Sequence, residues 1–271
     1  MIARVEMIMG LPVSIHVRDP LSTGGSDQLV QPAITAAFQE MRRFDRIFSP
    51  YRSDSTLTAV RAGRLVIGGA GPEFAEMLER ADEAKRLTGG AFDVYFAGEL
   101  DPSGLVKGWA AQRAGEQLAA LGRDWYLNAG GDIVCGGAGG PWRIGIEHPA
   151  DPSGLITVVG LARGGVATSG SAHRGAHIID PVSGAPATGV RQVTVVGSSV
   201  ARADVWATAI AARGLSALTG AQDPLIPACV ADGYQVFAVA ENGTVYATEG
   251  FATFQVDDLP RPIAATFAAL S

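Results

Sequence analysis

The 271-residue sequence has no cluster of lysine or arginine, only two cysteines, and no apolar run of transmembrane length. Each absence excludes a class of protein. With 21 basic against 27 acidic residues the formal net charge is −6, which argues against nucleic acid or an anionic membrane surface as the main partner. Cys135 and Cys229 are far apart in small, apolar settings; they read as buried free thiols, with no disulfide framework or metal knuckle. No segment reaches the length of a membrane span. The opening MIARVEMIMGLPVSIHV lacks a basic flank followed by a continuous apolar core, so it is no secretory signal. A cytoplasmic protein without a membrane span is the expectation. Internal repeats and long polar linkers are also missing, so residues 1–271 are expected to form one domain. The GGAGG run at 136–140 lacks the strand–helix context of a dinucleotide fingerprint.

What is present describes a globular chain: 47% hydrophobic, 18% charged, with 35 glycines and 15 prolines that imply many tight turns. Residues 4–17 alternate apolar and polar around Gly10-Leu11-Pro12 and predict two strands or one bent strand. Ile34, Phe38, Met41, Phe44 and Phe48 recur at helical spacing within 32–48. FSPYRSDSTL follows as a hydroxyl-rich turn, and residues 63–69 are expected to hold a short strand. Gly71-Pro72 opens a second helix that Gly89-Gly90 closes. A third is expected from about residue 109 to 121, after a long loop. From Trp125 the pattern turns to strands (WYLNAGGDIVC, WRIGIEHP, LITVVGLA, GGVATSG, HIID, QVTVVG), interrupted by one helix at 201–213. Asn242-Gly243 signals a late hairpin. Helices first and strands later predict an α+β fold, a mainly antiparallel sheet core flanked by helices.

The chemistry-bearing residues concentrate between 164 and 208. In a helical ADVWATAIAA, Asp204 and Thr208 are i and i+4 and share a face. Two oxygen donors one turn apart suit a hard cation such as Mg2+. The alternative is a polar pair on an exposed face, but the other residues of this helix are small and apolar. A carboxylate there needs a cation or hydrogen bonds to stay ionised. LDPSGLVKGWA (100–110) has Gly104 for close backbone approach, Lys107 as a point charge, and Gly108 before a helix whose first amides favour an anion. By itself it reads equally as an ordinary loop. NAGGDI is either a wall of a nucleotide cleft, with Asp132 at a strand end, or a glycine-rich turn.

In this order, MGLPVSI, FSPYRSDSTL, TGGAFDV, LDPSGLVKGWA, LNAGGDI, WRIGIEHP, VATSG, HIIDPVSG and ADVWATA resemble the FAD:protein FMN transferase (ApbE) family over nearly the whole chain. Any one motif is weak, but their ordered co-occurrence is specific. Members bind FAD and Mg2+ and move FMN onto a threonine or serine hydroxyl of an acceptor protein, releasing AMP. The resemblance implies that Asp204, Thr208 and the Gly104 main-chain carbonyl ligate Mg2+. It implies that Asp101 and Lys107 lie by the flavin nucleotide. Ala91, Phe92 and Asp93, with Tyr51 and Met9, fall where the family holds the flavin or its ribityl chain, and His177 and Ile178 also fall in the nucleotide site. His177 is the implied base that takes the acceptor's proton, as its near-neutral titration suits; Asp180 is the rival base or the group that orients the histidine. Pro102 and Ser103 depart from the family's commoner residues. His173 stands where the family more usually has an aromatic and a longer insertion. Two other readings of the same site are a Mg2+-dependent FAD pyrophosphatase and a flavin-binding protein without chemistry.

Overall fold

The computed structural model describes residues 1–18, 27–170, 179–220, 222–256 and 267–270. The N-terminal strands β1 (Ile2–Ile8) and β2 (Leu11–Val17) form a hairpin. Met9 and Gly10 both have positive φ (56° and 70°), the backbone that matches the twist of a two-residue hairpin turn. Helix α1 (Val30–Phe48) buries the apolar set that its spacing predicts: Ile34, Phe38, Met41, Phe44 and Phe48. A hydroxyl-rich turn leads to the short α2 (Thr56–Arg61), capped by the Ser55 side chain, which accepts from the Thr58 amide. Residues 63–69 hold no strand; Ile67–Gly69 is a turn of 3₁₀-helix between exposed residues. Helix α3 (Pro72–Leu87) starts on its proline and buries Phe74, Met77, Ala81 and Ala84.

Helix α4 (Ser103–Ala119) begins six residues before the sequence predicts. The Asp101 carboxylate accepts from the Ser103 amide and hydroxyl and so stops the preceding chain where the helix starts. Gly104 and Gly108, read as loop glycines, are therefore inside the helix. Strands β3 (Trp125–Ala129) and β4 (Asp132–Gly136) form a hairpin through Gly130-Gly131, both at positive φ. β5 (Trp142–His148) pairs with β6 (Asp151–Leu161) as a separate two-stranded ribbon. β7 (Gly164–Gly170) and β8 (Val190–Gly197) follow. Of the HIID stretch only Ile179 and Asp180 are described, and Ile179 forms an isolated bridge to Pro186.

Helix α5 (Val200–Arg213) is capped by Ser199, and two short helices absent from the sequence reading, α6 (Leu215–Thr219) and α7 (Leu225–Ala231), come after it. β9 (Gln235–Ala240) and β10 (Val245–Thr248) make the hairpin signalled by Asn242-Gly243, and β11 (Phe267–Leu270) adds to β10 in parallel. The main sheet runs β1-β2-β3-β4-β7-β8-β9-β10-β11, antiparallel except for its last pair. The fold is α+β, as expected.

Two apolar clusters hold it together. The larger joins α1, α3, α4 and α5 to one face of the sheet, with Trp109 packed edge-on to Phe44 at 4.6 Å. The smaller joins the β5–β6 ribbon and the 3₁₀ turn Glu249–Phe254 to other sheet side chains, among them Val166, Val196 and Phe237. Among the described residues no helix is long and apolar enough to cross a membrane.

Candidate active site

The site is built where α5 crosses α4. A Cβ on Gly108 would lie 2.8 Å from Asp204 Cβ and 3.0 Å from the Val200 carbonyl oxygen, so only glycine permits this approach. At that range the Gly108 amide donates to Asp204 Oδ2 at 3.1 Å. In a regular helix the partner of this amide is the Gly104 carbonyl. Gly104 itself faces Thr208, whose Cγ2 would be 3.5 Å from an added Cβ. One turn along α5 from Asp204, Thr208 Oγ1 shares a hydrogen bond with Ser169 Oγ of β7 at 3.1 Å.

Asp204 is 1% exposed. Lys107 Nζ lies 3.5 Å from its Oδ1 and is ion-paired more closely with Asp132 Oδ2. Asp132 is fully buried, and its Oδ1 has no hydrogen-bond partner among the described residues. Burial pushes the Asp204 carboxyl well above the ordinary carboxylate range; the charge of Asp132 and a hydrogen bond between the two carboxyl groups add to this, and Lys107 and the Gly108 amide oppose it. With Asp204 holding its proton, Asp132 and Lys107 balance; once that proton is lost, two carboxylates face the ammonium. A hard cation fits that deficit, and the oxygens of Asp204, Thr208 and the Gly104 carbonyl are donors of the matching kind. Among the described residues no three His, Cys, Asp or Glu side chains cluster as a metal site; the oxygens gathered here come from mixed groups.

This cluster forms one wall of a cavity of about 890 Å³, in the range of ligand sites. Asp101, Gly104, Lys107, Asp204 and Thr208 line it, as do Tyr51, Ala91, Phe92 and Asp93. Leu11, Ile133, Ile144 and Ile146 add apolar lining. Phe92 is both core and lining, 4% exposed, while Tyr51 is 93% exposed. Asp93 is paired with Lys85 at 2.7 Å, and Asp101 with Arg61 at 3.5 Å. Arg61 also donates to the Leu100 carbonyl at 2.7 Å, so it anchors the segment entering α4.

Not every expected residue reaches the cavity. Met9 is at the β1–β2 turn, packed against the main core and off the lining. Asp180 is engaged in its own turn: its Oδ1 accepts from the Val182 amide, its carbonyl accepts from Gly184, and Arg213 lies 4.0 Å away. Ile179 and Pro181 line the cavity, whereas Asp180 does not. His177, Ile178 and His173 lie outside the described residues. The sequence reading gave no role to Ser169, Arg61 or Arg191, which also lines the cavity. A signal for Asp132 was present: its alternation with Val134 puts it on the helix-facing side of β4.

An α+β fold whose helix seam lines one wall of a cavity with oxygens and a buried lysine has known counterparts. The ApbE protein from Thermotoga maritima superposes with a TM-score of 0.80 at 21% identity, covering 94% of this chain and 99% of that one. The flavin transferase ApbE from Vibrio cholerae gives 0.75 at 21% identity, covering 93% and 98%. In sequence, the ApbE family pattern matches residues 9–98 and 96–225. The chain belongs to the ApbE family. A curated relative, FAD:protein FMN transferase from Rhodobacter capsulatus, is 34% identical over 187 residues, 61% of this chain and 35% of the relative. The match spans little more than a third of the length of such relatives.

Proposed function

We propose that this protein is a Mg2+-dependent FAD:protein FMN transferase, with residues 1–271 acting as one domain. The carrying observation is the α4–α5 seam: Asp204 and Thr208 of α5 meet Gly108 and Gly104 of α4 beside Lys107 on the wall of a nucleotide-sized cavity. Relatives named FAD:protein FMN transferase support the same reading.

In this reading Asp204, Thr208 and the Gly104 carbonyl hold Mg2+, which when bound neutralises charge on the FAD diphosphate and on departing AMP. Lys107 adds a positive charge at the same wall. Phe92 and the apolar lining exclude water from the flavin end, and Asp101, steadied by Arg61 and Ser103, contacts the nucleotide. An acceptor threonine or serine oxygen forms a bond to the FMN-side phosphorus as the bond to the AMP phosphate oxygen breaks, and the hydroxyl proton passes to a base. With Asp180 tied into its turn, His177 is the base we assign. The partners are FAD and an acceptor protein; neither nucleic acid nor a membrane span enters.

The test incubates the protein with FAD, Mg2+ and candidate acceptor domains, weighs the acceptor for added FMN, and follows AMP. FMN on the acceptor with stoichiometric AMP is expected, lost in Asp204→Ala. His177→Ala should bind FAD and fail to turn over. Rapid AMP release without any acceptor would replace transfer by hydrolysis, and tight FAD binding without AMP or Mg2+ dependence would leave a binding protein.

A further inference from the structure

Ser169 stands on the helix-facing side of β7, opposite Val193 and two residues past Ala167, where the strand otherwise presents apolar side chains to the main core. Its hydroxyl reaches α5 and meets Thr208 Oγ1 at 3.1 Å, and neither hydroxyl has another hydrogen-bond partner among the described residues. Both residues line the cavity. A threonine in a helix has a partner closer at hand, the carbonyl one turn back. Thr88 and Thr219, at the C-terminal ends of α3 and α6, use it: they donate to the Ala84 carbonyl at 2.8 Å and to the Leu215 carbonyl at 3.0 Å. Thr208 makes no such bond to the Asp204 carbonyl; its hydroxyl is engaged by β7 instead.

Thr208 is thus fixed from two sides. Its Cγ2 methyl packs towards α4, 3.5 Å from where a Cβ on Gly104 would stand, and its hydroxyl is bonded to β7. A hydroxyl has one proton to donate and two lone pairs. Either partner can donate in this pair, but once Thr208 Oγ1 gives a lone pair to a cation, its proton is what remains for Ser169 Oγ. We infer that Ser169 is a positioning residue for the Thr208 hydroxyl: it takes that hydrogen bond, keeps the oxygen off the Asp204 carbonyl, and so sets where α5 offers its second donor to a divalent cation. This rests on the cation site of the transferase reading. Ser169 acts through Thr208 and is not itself a ligand. Without it, the Thr208 hydroxyl turns to the carbonyl of its own helix.

A double-mutant cycle separates this role from direct ligation and from general support of the seam. Mn2+ is titrated into wild type, Ser169→Ala, Thr208→Val and the double variant, each with FAD present, and the free ion is counted by its paramagnetic resonance signal. Asp204→Ala defines the background. Ser169→Ala should weaken the Mn2+ site by about three- to tenfold, the range of one neutral hydrogen bond. Thr208→Val removes the donor, and in that background Ser169→Ala should have no further effect. An equal loss in both backgrounds, or wild-type affinity in either single variant, would overturn the positioning role and leave the cation site standing. A crystal structure of Ser169→Ala without metal gives the second readout. It should show Thr208 Oγ1 bonded to the Asp204 carbonyl, and an unmoved oxygen would overturn the inference. If wild type shows no Mn2+ site that depends on Asp204, the cation of the proposed function falls, while the crystal structure still decides whether Ser169 sets the hydroxyl. Near-UV circular dichroism checks folding. Should Ser169→Ala not fold, Ser169→Cys, whose thiol is a weak hydrogen-bonding group, carries the same cycle under the same criterion.

Discussion

Replacing Gly108 by alanine sets two effects of known size against each other. Helix propensity alone favours the change by about 1 kcal/mol, since glycine is the poorer residue in a helix interior. The structure predicts the opposite sign. The added methyl would sit 2.8 Å from Asp204 Cβ, 3.0 Å from the Val200 carbonyl oxygen and 3.1 Å from Ala201 Cα. Two of these atoms belong to backbone and none is the free end of a side chain, so the helices must separate. Overpacking of this kind costs about 1–3 kcal/mol, leaving a net loss of up to about 2 kcal/mol. Gly104→Ala is the internal control: same helix, but its methyl would meet the Phe92 ring at 3.2 Å and Thr208 Cγ2 at 3.5 Å, which a small ring shift relieves. It should be neutral or slightly stabilising. At about 2–4 °C per kcal/mol for a chain of this size, the two variants should differ in Tm by about 2–10 °C. Thermal unfolding followed by circular dichroism reads this directly. The same separation lengthens the Gly108 amide–Asp204 bond, so Gly108→Ala should also need more Mg2+ for half-maximal FAD binding. A Tm for Gly108→Ala equal to or above that of Gly104→Ala would refute the close approach of α4 and α5.

Other consequences are simpler to read. The Asp124 carboxylate, only 10% exposed, accepts from the Ala138 and Gly139 amides and pairs with Arg18. These bonds, the Gly139 amide first, hold its pKa below the usual carboxylate value. A depressed folded pKa contributes stability that is present above the unfolded value and lost as pH falls through the folded one. The Tm gap between wild type and Asp124→Asn should therefore be full at pH 7 and close below about pH 4; a gap independent of pH would contradict it. Burial pushes the Cys135 thiol up to about 12 and raises that of Cys229 as well. Neither should react with a disulfide reagent in the native protein, and both should react after denaturation. Arg61→Ala removes the anchor on the Leu100 carbonyl and on Asp101; FAD affinity should fall several-fold with little change in Tm, and unchanged affinity would remove Asp101 from the nucleotide site.

The parts of this fold legible in the sequence are those where one local pattern decides. Five apolar residues at helical spacing predict α1, and Asn242-Gly243 predicts the β9–β10 turn, because periodicity and turn chemistry act over a few residues. The spacing of Asp204 and Thr208 likewise puts them on one face of α5. What stayed hidden depends on contacts far apart in sequence. Gly104 and Gly108 look like loop residues until α5 is laid against them; only that crossing explains why a helix tolerates both. The start of α4 is instead set locally, by the Asp101 carboxylate on Ser103, within a stretch whose proline and glycine read as loop. NAGGDI reads equally as a cleft wall or a glycine-rich turn because the partner of Asp132, Lys107, is 25 residues away. Asp180, a rival base by resemblance, accepts from the amide two residues on through one oxygen and is off the cavity lining.

The helix seam also explains why the chemistry sits where the sequence is least polar. A small-residue face on α4 meets a helix of alanine and valine, so the axes approach closely and water is excluded. That dryness makes a lone carboxylate expensive, and under the proposed function it would strengthen the effect of a bound cation on phosphate. The Gly108 amide on Oδ2 and Lys107 near Oδ1 divide the compensation of Asp204 between them. A site made only of side chains on loops would have to order each of them anew. Here the close packing that stabilises the fold also puts Asp204 on the cavity wall.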